Sequence, residues 1–276
     1  MRNLTEDNIT DAAIATMENT ADPRLKQVMG SLIKHLHGFI RDCEPTEKEW
    51  FAGIKYLTRI GQKCDDVRQE YILFSDVLGA TILVDAINHR KQAGATASSV
   101  LGPFYLEGAP EVESGSDLTG EMQGEPVVVR GRVKDVQGNP IPAAELDVWQ
   151  TAPNGLYDIQ DPDQPEFNLR AKVRADADGA YEFRTMKPVS YPIPNDGPVG
   201  LLMRAVGRHF QRPAHIHFIV SAKGYEPVVT QLFTEGDEYL DSDAVFGVKE
   251  SLVVDYLKQG DGDYTVDYDF VLEPAG

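Results

Sequence analysis

The apolar residues of this chain change their spacing partway along it, and that change limits the fold more than any single residue. Leu25, Val28, Met29, Leu32, Ile33, Leu36, Phe39 and Ile40 recur at intervals of three and four, laying one apolar stripe along a helix. Thr46 and Glu49 then form a capping-box pattern ahead of Trp50, Phe51, Ile54 and Leu57, which predicts a second helix start. Between Asp65 and Asn88 the runs Tyr71-Ile72-Leu73-Phe74, Val77-Leu78 and Ile82-Leu83-Val84 are apolar almost all round. They predict a helix buried on several sides, by its own domain and by a partner subunit. After residue 125 the period falls to two. Val127 to Val133, Ala171 to Arg174 and Tyr264 to Phe270 alternate or carry β-branched residues, and Gln137-Gly138-Asn139-Pro140 and Asp176-Ala177-Asp178-Gly179 punctuate them as turns. The chain is therefore expected to be α+β, with a helical N-terminal region over residues 1–95 and an antiparallel β-sandwich over residues 96–276.

Within the strand-rich part, Arg212-Pro213-Ala214-His215-Ile216-His217-Phe218 places two imidazoles two residues apart in an apolar run. On a strand, residues i and i+2 share a side, so His215 and His217 can aim at one ion while Ile216 and Phe218 face elsewhere. On sequence alone such a pair also serves packing and surface roles. His35 and His37 repeat the pattern on a predicted helix, where their directions diverge by about 200°, so they cannot share an ion. With two Cys and six His, and no His-Glu-x-x-His helix, a thiolate zinc site is ruled out. The best further ligands are Tyr157 in Asn154-Gly155-Leu156-Tyr157-Asp158 and Tyr191 in Ser190-Tyr191-Pro192-Ile193-Pro194, both in turn-rich segments. Two His with two phenolate oxygens suit Fe(III), because a trivalent cation deprotonates phenols whose ordinary pKa is roughly 10. Each Tyr taken singly is equally a packing residue, since eleven are present. The stretch from Ala152 to Arg170, rich in Pro, Asp and Asn, is expected to be an active-site loop.

Composition narrows the field from another direction. The 276 residues are 42% hydrophobic, ordinary for a globular protein, and a net charge of −18 opposes nucleic acid and anionic membranes. No signal-like N-terminus and no apolar run of ~20 residues is present, so a cytoplasmic protein that does not insert in membranes is expected. Cys43 and Cys64 are too few for a disulfide framework.

Five segments in order resemble the intradiol ring-cleavage dioxygenases, the family of catechol, chlorocatechol and hydroxyquinol 1,2-dioxygenases. They are Gly102-Pro103-Phe104-Tyr105, Leu146-Asp147-Val148-Trp149-Gln150, Asn154-Gly155-Leu156-Tyr157, the run from Tyr191 to Gly200, and the run from Arg212 to Phe218. The resemblance spans the chain from its helical N-terminal region to its end. It implies one non-haem Fe(III) per subunit held by Tyr157, Tyr191, His215 and His217. It also implies that Tyr191 leaves the metal to accept a substrate proton, with O2 attacking the chelated diol so that both oxygen atoms enter the product. Arg212 is implied to stabilise developing negative charge, and Gln231 to hydrogen-bond near it.

By the same resemblance a small aromatic diol or triol is lined by Leu73, Asp76, Val100, Leu101, Gly102, Pro103, Phe104, Ile193, Pro194 and Val245. A carboxylate within an apolar helix needs solvent, a partner or a use. Asp76 is accordingly either a local hydrogen-bonding residue or the group that meets a third ring hydroxyl. The Val245-Phe246-Gly247-Val248-Lys249 run is similar to the hydroxyquinol and chlorocatechol groups. Hydroxyquinol cleavage to a maleylacetate-type product is thus the leading expectation, with catechol or chlorocatechol cleavage as the alternative. A non-catalytic sandwich module is the alternative of another class, and a hydrolase is disfavoured because no Gly-x-Ser-x-Gly elbow exists. The apolar stripes imply a homodimer formed through the N-terminal helices.

Overall fold

In the computed structural model, which describes residues 2–66, 68–260 and 262–276, the helical and strand periods separate as the sequence predicts. The helices are α1 (Ile9–Ala15), α2 (Pro23–Cys43), α3 (Glu47–Lys63), α4 (Glu70–Val77), α5 (Ala80–Asn88) and α6 (Pro198–Ala205). The chain divides into two compact units, Met1–Arg59 and Ile60–Gly276. Within the first, Asp22 caps α2 by accepting from the amides of Arg24 and Leu25 at 2.8 and 3.2 Å, with Pro23 at the first helical position. The capping box ahead of α3 is formed: Glu49 Oε2 accepts from the Thr46 amide at 2.8 Å, and Thr46 Oγ1 accepts from the Glu49 amide at 3.3 Å.

The apolar stretch between Asp65 and Asn88 is two helices where one was expected. Gly79, at φ +72°, occupies the left-handed region that breaks the helix between α4 and α5. Its burial is also narrower than expected: α4 buries Glu70, Leu73, Asp76 and Val77, whereas α5 has no buried residue and leaves Leu83, Val84 and Ile87 exposed.

The second unit is built on strands β1 (Glu111–Val112), β2 (Ser116–Asp117), β3 (Pro126–Asp135), β4 (Glu145–Trp149), β5 (Arg170–Arg174), β6 (Ala180–Met186), β7 (Tyr191–Pro192), β8 (Gln211–Arg212), β9 (His215–Ser221), β10 (Val228–Thr234), β11 (Val253–Val254), β12 (Leu257–Lys258), β13 (Tyr264–Asp267) and β14 (Phe270–Leu272). One sheet runs β1-β5-β4-β9-β10-β11 and the other β12-β13-β3-β6-β2, with β14 also on β3. The central pairings β5-β4-β9-β10 and β3-β6 are antiparallel. Parallel pairs are added where β1, β2 and β11 join the sheets and where β13 and β14 return to β3.

The two sheets face each other across one apolar core. Val127 and Val129 of β3, Leu146 and Val148 of β4, Phe183 of β6 and Ile216 and Phe218 of β9 are buried together in it. Phe183 and Phe218, from opposite sheets, have ring centroids 6.2 Å apart. A second cluster gathers Leu73 and Val77 of α4 with Val100, Ile193, Val199, Met203, Ala244 and Val245. Helix α6 lies beyond the reach of period analysis because it is only eight residues long. Its Val199 amide donates to the buried Glu70 carboxylate at 3.0 Å.

Candidate active site

Alternation along β9 sends Ile216, Phe218 and Val220 into the sandwich core and leaves His215 and His217 on the other face, still buried. Register then sets their neighbours. Trp149 lies opposite His217, Arg170 opposite Trp149, and Gln231 opposite His217 on its other side, so these four form one row across β5, β4, β9 and β10. The Trp149 indole stacks on the His217 ring with centroids 4.7 Å apart and planes within 11°.

The two phenols arrive on separate elements. Tyr157 follows a tight turn in which the Gly155 amide donates to Ala152 O at 2.8 Å and the Ala152 amide to Leu156 O at 2.9 Å. Gly155 has φ +79°, and a Cβ on it would stand 3.3 Å from Tyr191 Cβ, so the turn needs glycine on both counts. Tyr191 sits on the ribbon β7-β8, directly paired with Arg212. Asp237 links this ribbon to β9: its Oδ2 accepts from Ser190 Oγ at 2.5 Å and from the Ala214 amide at 2.9 Å. Those are the residues immediately before Tyr191 and His215.

Four side-chain atoms from these elements close a circuit. Tyr157 Oη lies 2.9 Å from both Tyr191 Oη and His217 Nε2, Tyr191 Oη lies 3.3 Å from His215 Nε2, and the two Nε2 atoms are 3.1 Å apart. Donors spaced this way enclose a point roughly 2 Å from each, the length of a bond from a first-row transition metal to nitrogen or oxygen. His215 Nδ1 faces the Pro213 carbonyl at 2.7 Å and so carries its proton there, leaving the Nε2 lone pair directed into the circuit. Burial, then the Arg212 charge, lower the His215 pKa to about 3, and burial followed by His215 holds His217 well below its ordinary value. Both imidazoles are thus neutral donors. Burial raises Tyr157 well above, and Tyr191 above, the ordinary phenol value. Phenolates therefore form here only with strong positive charge in their midst, and a trivalent ion meets that demand. Among the described residues no group of three or more His, Cys, Asp and Glu could hold a metal, so a centre without the phenols has no ligand set.

Arg212 borders the circuit, with Nη1 3.0 Å from His215 Nε2. Gln231 Oε1 accepts from its Nη2 at 2.7 Å, while Gln231 Nε2 donates to Val100 O at 2.6 Å and lies 3.2 Å from His217 Nδ1. Burial opposes the Arg212 charge, and Asp243 together with Tyr191 and Tyr157 offsets it, holding the guanidinium pKa above its usual value.

Beside the centre opens a cleft of about 420 Å³ that Leu73, Pro103, Phe104, Ile193 and Pro194 line, with Arg68, Glu70, Gln160 and Asp196 among its polar groups. Phe104 also packs on Tyr157, with ring centroids 4.8 Å apart. Val100 and Val245 are buried with Leu73 and Ile193 behind this wall. Gly102 lies against His217, since a Cβ there would be 3.2 Å from His217 Cε1. Leu101 is 40% exposed and, like Asp76, Val100, Gly102 and Val245, is absent from the cleft lining. Asp76 is buried, with Oδ1 lacking any partner among the described residues, and burial raises its pKa despite a hydrogen bond with Thr81. The neighbouring Ser75 hydroxyl lies 2.8 Å from Thr81 Oγ1.

Two residues of the site lie outside the sequence motifs. Asp243 binds Arg212, and Arg68 lines the cleft, where it pairs with Asp196 of the Tyr191 to Gly200 run. Asp243 could have been sought on one physical ground: a buried Arg requires a carboxylate.

Comparison with known proteins agrees with this geometry. Residues 100–274 match the family model described as "Dioxygenase", and residues 22–96 the one described as "Catechol dioxygenase N terminus". The chain is 49% identical over 275 residues to a 6-chlorohydroxyquinol 1,2-dioxygenase of Cupriavidus pinatubonensis, covering all of both chains. A catechol 1,2-dioxygenase of Candida albicans is 38% identical, with 95% of this chain and 91% of that protein aligned. The crystal structure of hydroxyquinol 1,2-dioxygenase from Pseudomonas putida superposes with a TM-score of 0.93 at 50% identity, covering 98% of this chain and 99% of that one. Matched along nearly its whole length by both halves of the fold, the chain belongs to the intradiol ring-cleavage dioxygenases.

Proposed function

We propose that this enzyme uses O2 to cleave the ring of hydroxyquinol, 1,2,4-trihydroxybenzene, between adjacent hydroxyls to a maleylacetate-type product. It does so with one non-haem Fe(III) per chain, held by Tyr157, Tyr191, His215 and His217. The observation that carries this is the buried circuit of two neutral imidazoles and two phenols spaced 2.9–3.3 Å apart. When bound, a ferric ion supplies the Lewis acidity that deprotonates the diol and the electronic coupling that makes its ring reactive toward O2.

The residues around it supply the rest. Burial raises the pKa of both phenols, so either oxygen would hold a proton well, and Tyr191, carried on the short ribbon β7-β8, is the one assigned as the substrate's proton acceptor. Arg212, fixed and buried, stabilises negative charge that develops on the ring. Gln231 aligns Arg212, and the apolar wall from Phe104 to Ile193 keeps water from the reacting face. Asp76 accepts a hydrogen bond from the third ring hydroxyl, which gives its unpartnered Oδ1 a use.

Hydroxyquinol is favoured over catechol by Asp76 and by the higher identity to the hydroxyquinol-type relatives. Steady-state kinetics on 1,2,4-trihydroxybenzene, catechol and 4-chlorocatechol test this. The expected result is the highest kcat/KM for the triol; a higher value for catechol overturns the assignment.

The exposed stripe of Leu25, Val28, Leu32, Leu36 and Phe39 along α2 supports a homodimer through the N-terminal helices. Sedimentation at micromolar concentration is expected to give twice the chain mass of 30.5 kDa. No described helix is long and apolar enough to cross a membrane. The two free cysteines fit the cytoplasm as the enzyme's location.

A further inference from the structure

Arg212 acts on both phenols of the centre, and Tyr157 has a second cation beside it. Tyr191 is paired across the ribbon with Arg212. The ring of Tyr157 has Arg170 beside it, with Cζ 5.7 Å from the ring centroid. Arg170 is not a surface residue that happens to fall there: its side chain is 1% exposed and that of Asp158 is 3% exposed. Asp158 Oδ1 accepts from Arg170 Nε at 2.8 Å and lies 2.7 Å from Nη2 as an ion pair, while neither Nη1 nor Nη2 makes a hydrogen bond among the described residues. Keeping an incompletely satisfied ion pair out of water is costly, and apolar side chains of similar volume would fill the space more stably. The pair is also tied to the site at both ends. Asp158 directly follows Tyr157 in the chain, and Arg170 begins the cross-strand row that continues through Trp149 to His217.

We infer that Arg170 and Asp158 form a positioning device for Tyr157, which holds a fixed charge against its ring and its loop in place. The guanidinium sets a fixed positive charge against the Tyr157 ring. The carboxylate locks that charge in place and anchors the loop on which Tyr157 is carried. Tyr191 faces the buried Arg212–Asp243 pair instead, and its ribbon is two residues long on each strand. This inference rests on Tyr157 being a ligand of Fe(III), and its test separates the two claims.

The readout is the visible phenolate-to-iron absorption of the Fe(III)-loaded full-length protein, with iron content and thermal midpoint measured alongside. Asp158→Asn/Arg170→Gln replaces the ion pair by two amides and leaves no lone buried charge. Removing the cation raises the energy of the phenolate electrons, so the band is expected to move to longer wavelength by roughly 10–20 nm. Arg170→Lys, which keeps the charge, is expected to keep the band near its original position. Asp158→Asn alone leaves the cation uncompensated and is expected to move the band the opposite way, to shorter wavelength. That sign reversal is one that lost packing does not produce. The inference is overturned if the double variant, folded and iron-loaded, absorbs where the parent does, or if Arg170→Lys moves the band as far as the double variant. Should the double variant not fold, an Asp158→Asn band that is unmoved or red-shifted overturns it equally. A parent protein that binds iron without any such band refutes the ligand assignment itself.

Discussion

Asp243 grips Arg212 with both carboxylate oxygens, Oδ1 accepting from Nε at 3.0 Å and Oδ2 from Nη2 at 3.1 Å. The same carboxylate accepts from the amides of Gly247 at 2.9 Å and Val245 at 3.3 Å, so one side chain fixes both the cation beside the metal circuit and the loop that carries Val245. Gly247 is held to glycine by this arrangement: a Cβ there would stand 2.8 Å from Arg212 Nη2.

Asp243→Asn is therefore expected to lower kcat/KM about 10²-fold, because a charge preorganised for the transition state loses its orientation. Asp243→Ala leaves Arg212 buried and unpaired, and is expected to cost about 3–5 kcal/mol of stability. Urea unfolding and steady-state kinetics on the two variants check this. Equal kinetics in Asp243→Asn and parent would mean that Gln231 alone positions the guanidinium.

Removing ligands one at a time separates metal holding from folding. Tyr157→Phe and His217→Ala are each expected to reduce bound iron to a small fraction of one equivalent and to abolish the red-brown colour of a ferric phenolate, measured by metal analysis and visible absorption. Tyr157→Phe removes one oxygen from a packed ring and should leave the fold intact. Full iron content in both variants would end the ligand assignment.

Gly102 presses on the same centre from the cleft side. Gly102→Ala forces a side chain onto a backbone with φ +79° and places its Cβ 3.2 Å from His217 Cε1. Strain of about 1 kcal/mol from the backbone is expected, together with displacement of the imidazole. Weaker iron retention during dialysis against a chelator is the measurement. Retention equal to that of the parent would show that the His217 ring has room to give.

Much of this arrangement was legible in the sequence because periodicity and strand geometry are local. The two faces of β9, the capping box at Thr46 and the helical stripe of α2 all follow from spacing within a few residues. Pairing of distant segments is not local. Nothing near Asp243 or Arg170 marks them as partners of the site, since Arg212 and Asp243 are 31 residues apart and Arg170 and Asp158 are 12 apart. The break at Gly79 was hidden for another reason. Apolar residues on both sides of it continue the same pattern, so composition masks a change in backbone conformation that one glycine makes. Leu101 is exposed while its neighbour Gly102 packs on His217, because a motif fixes which residues are adjacent in the chain, not which way each points.

Asp76 sets function against stability, and pH separates the two. Burial raises its pKa above the ordinary value of 3.8, so the folded state binds a proton that the unfolded state releases. For a group raised in this way, the stabilisation is fully present below the unfolded pKa and is lost as pH rises through the folded one. Parent stability relative to Asp76→Asn is therefore expected to decline as pH increases from about 3.8 and to level off once the buried carboxyl is ionised. At neutral pH the variant should unfold at higher urea, because it no longer buries a charge with an unpartnered oxygen. Its kcat/KM for 1,2,4-trihydroxybenzene should fall by about 10-fold or more, with a smaller change for catechol, since only the triol carries the third hydroxyl. Urea midpoints across pH for both proteins, with kinetics on both substrates, measure this. A stability difference that does not change with pH would show that Asp76 does not titrate differently in the folded protein. Equal losses on the two substrates would remove it from substrate selection.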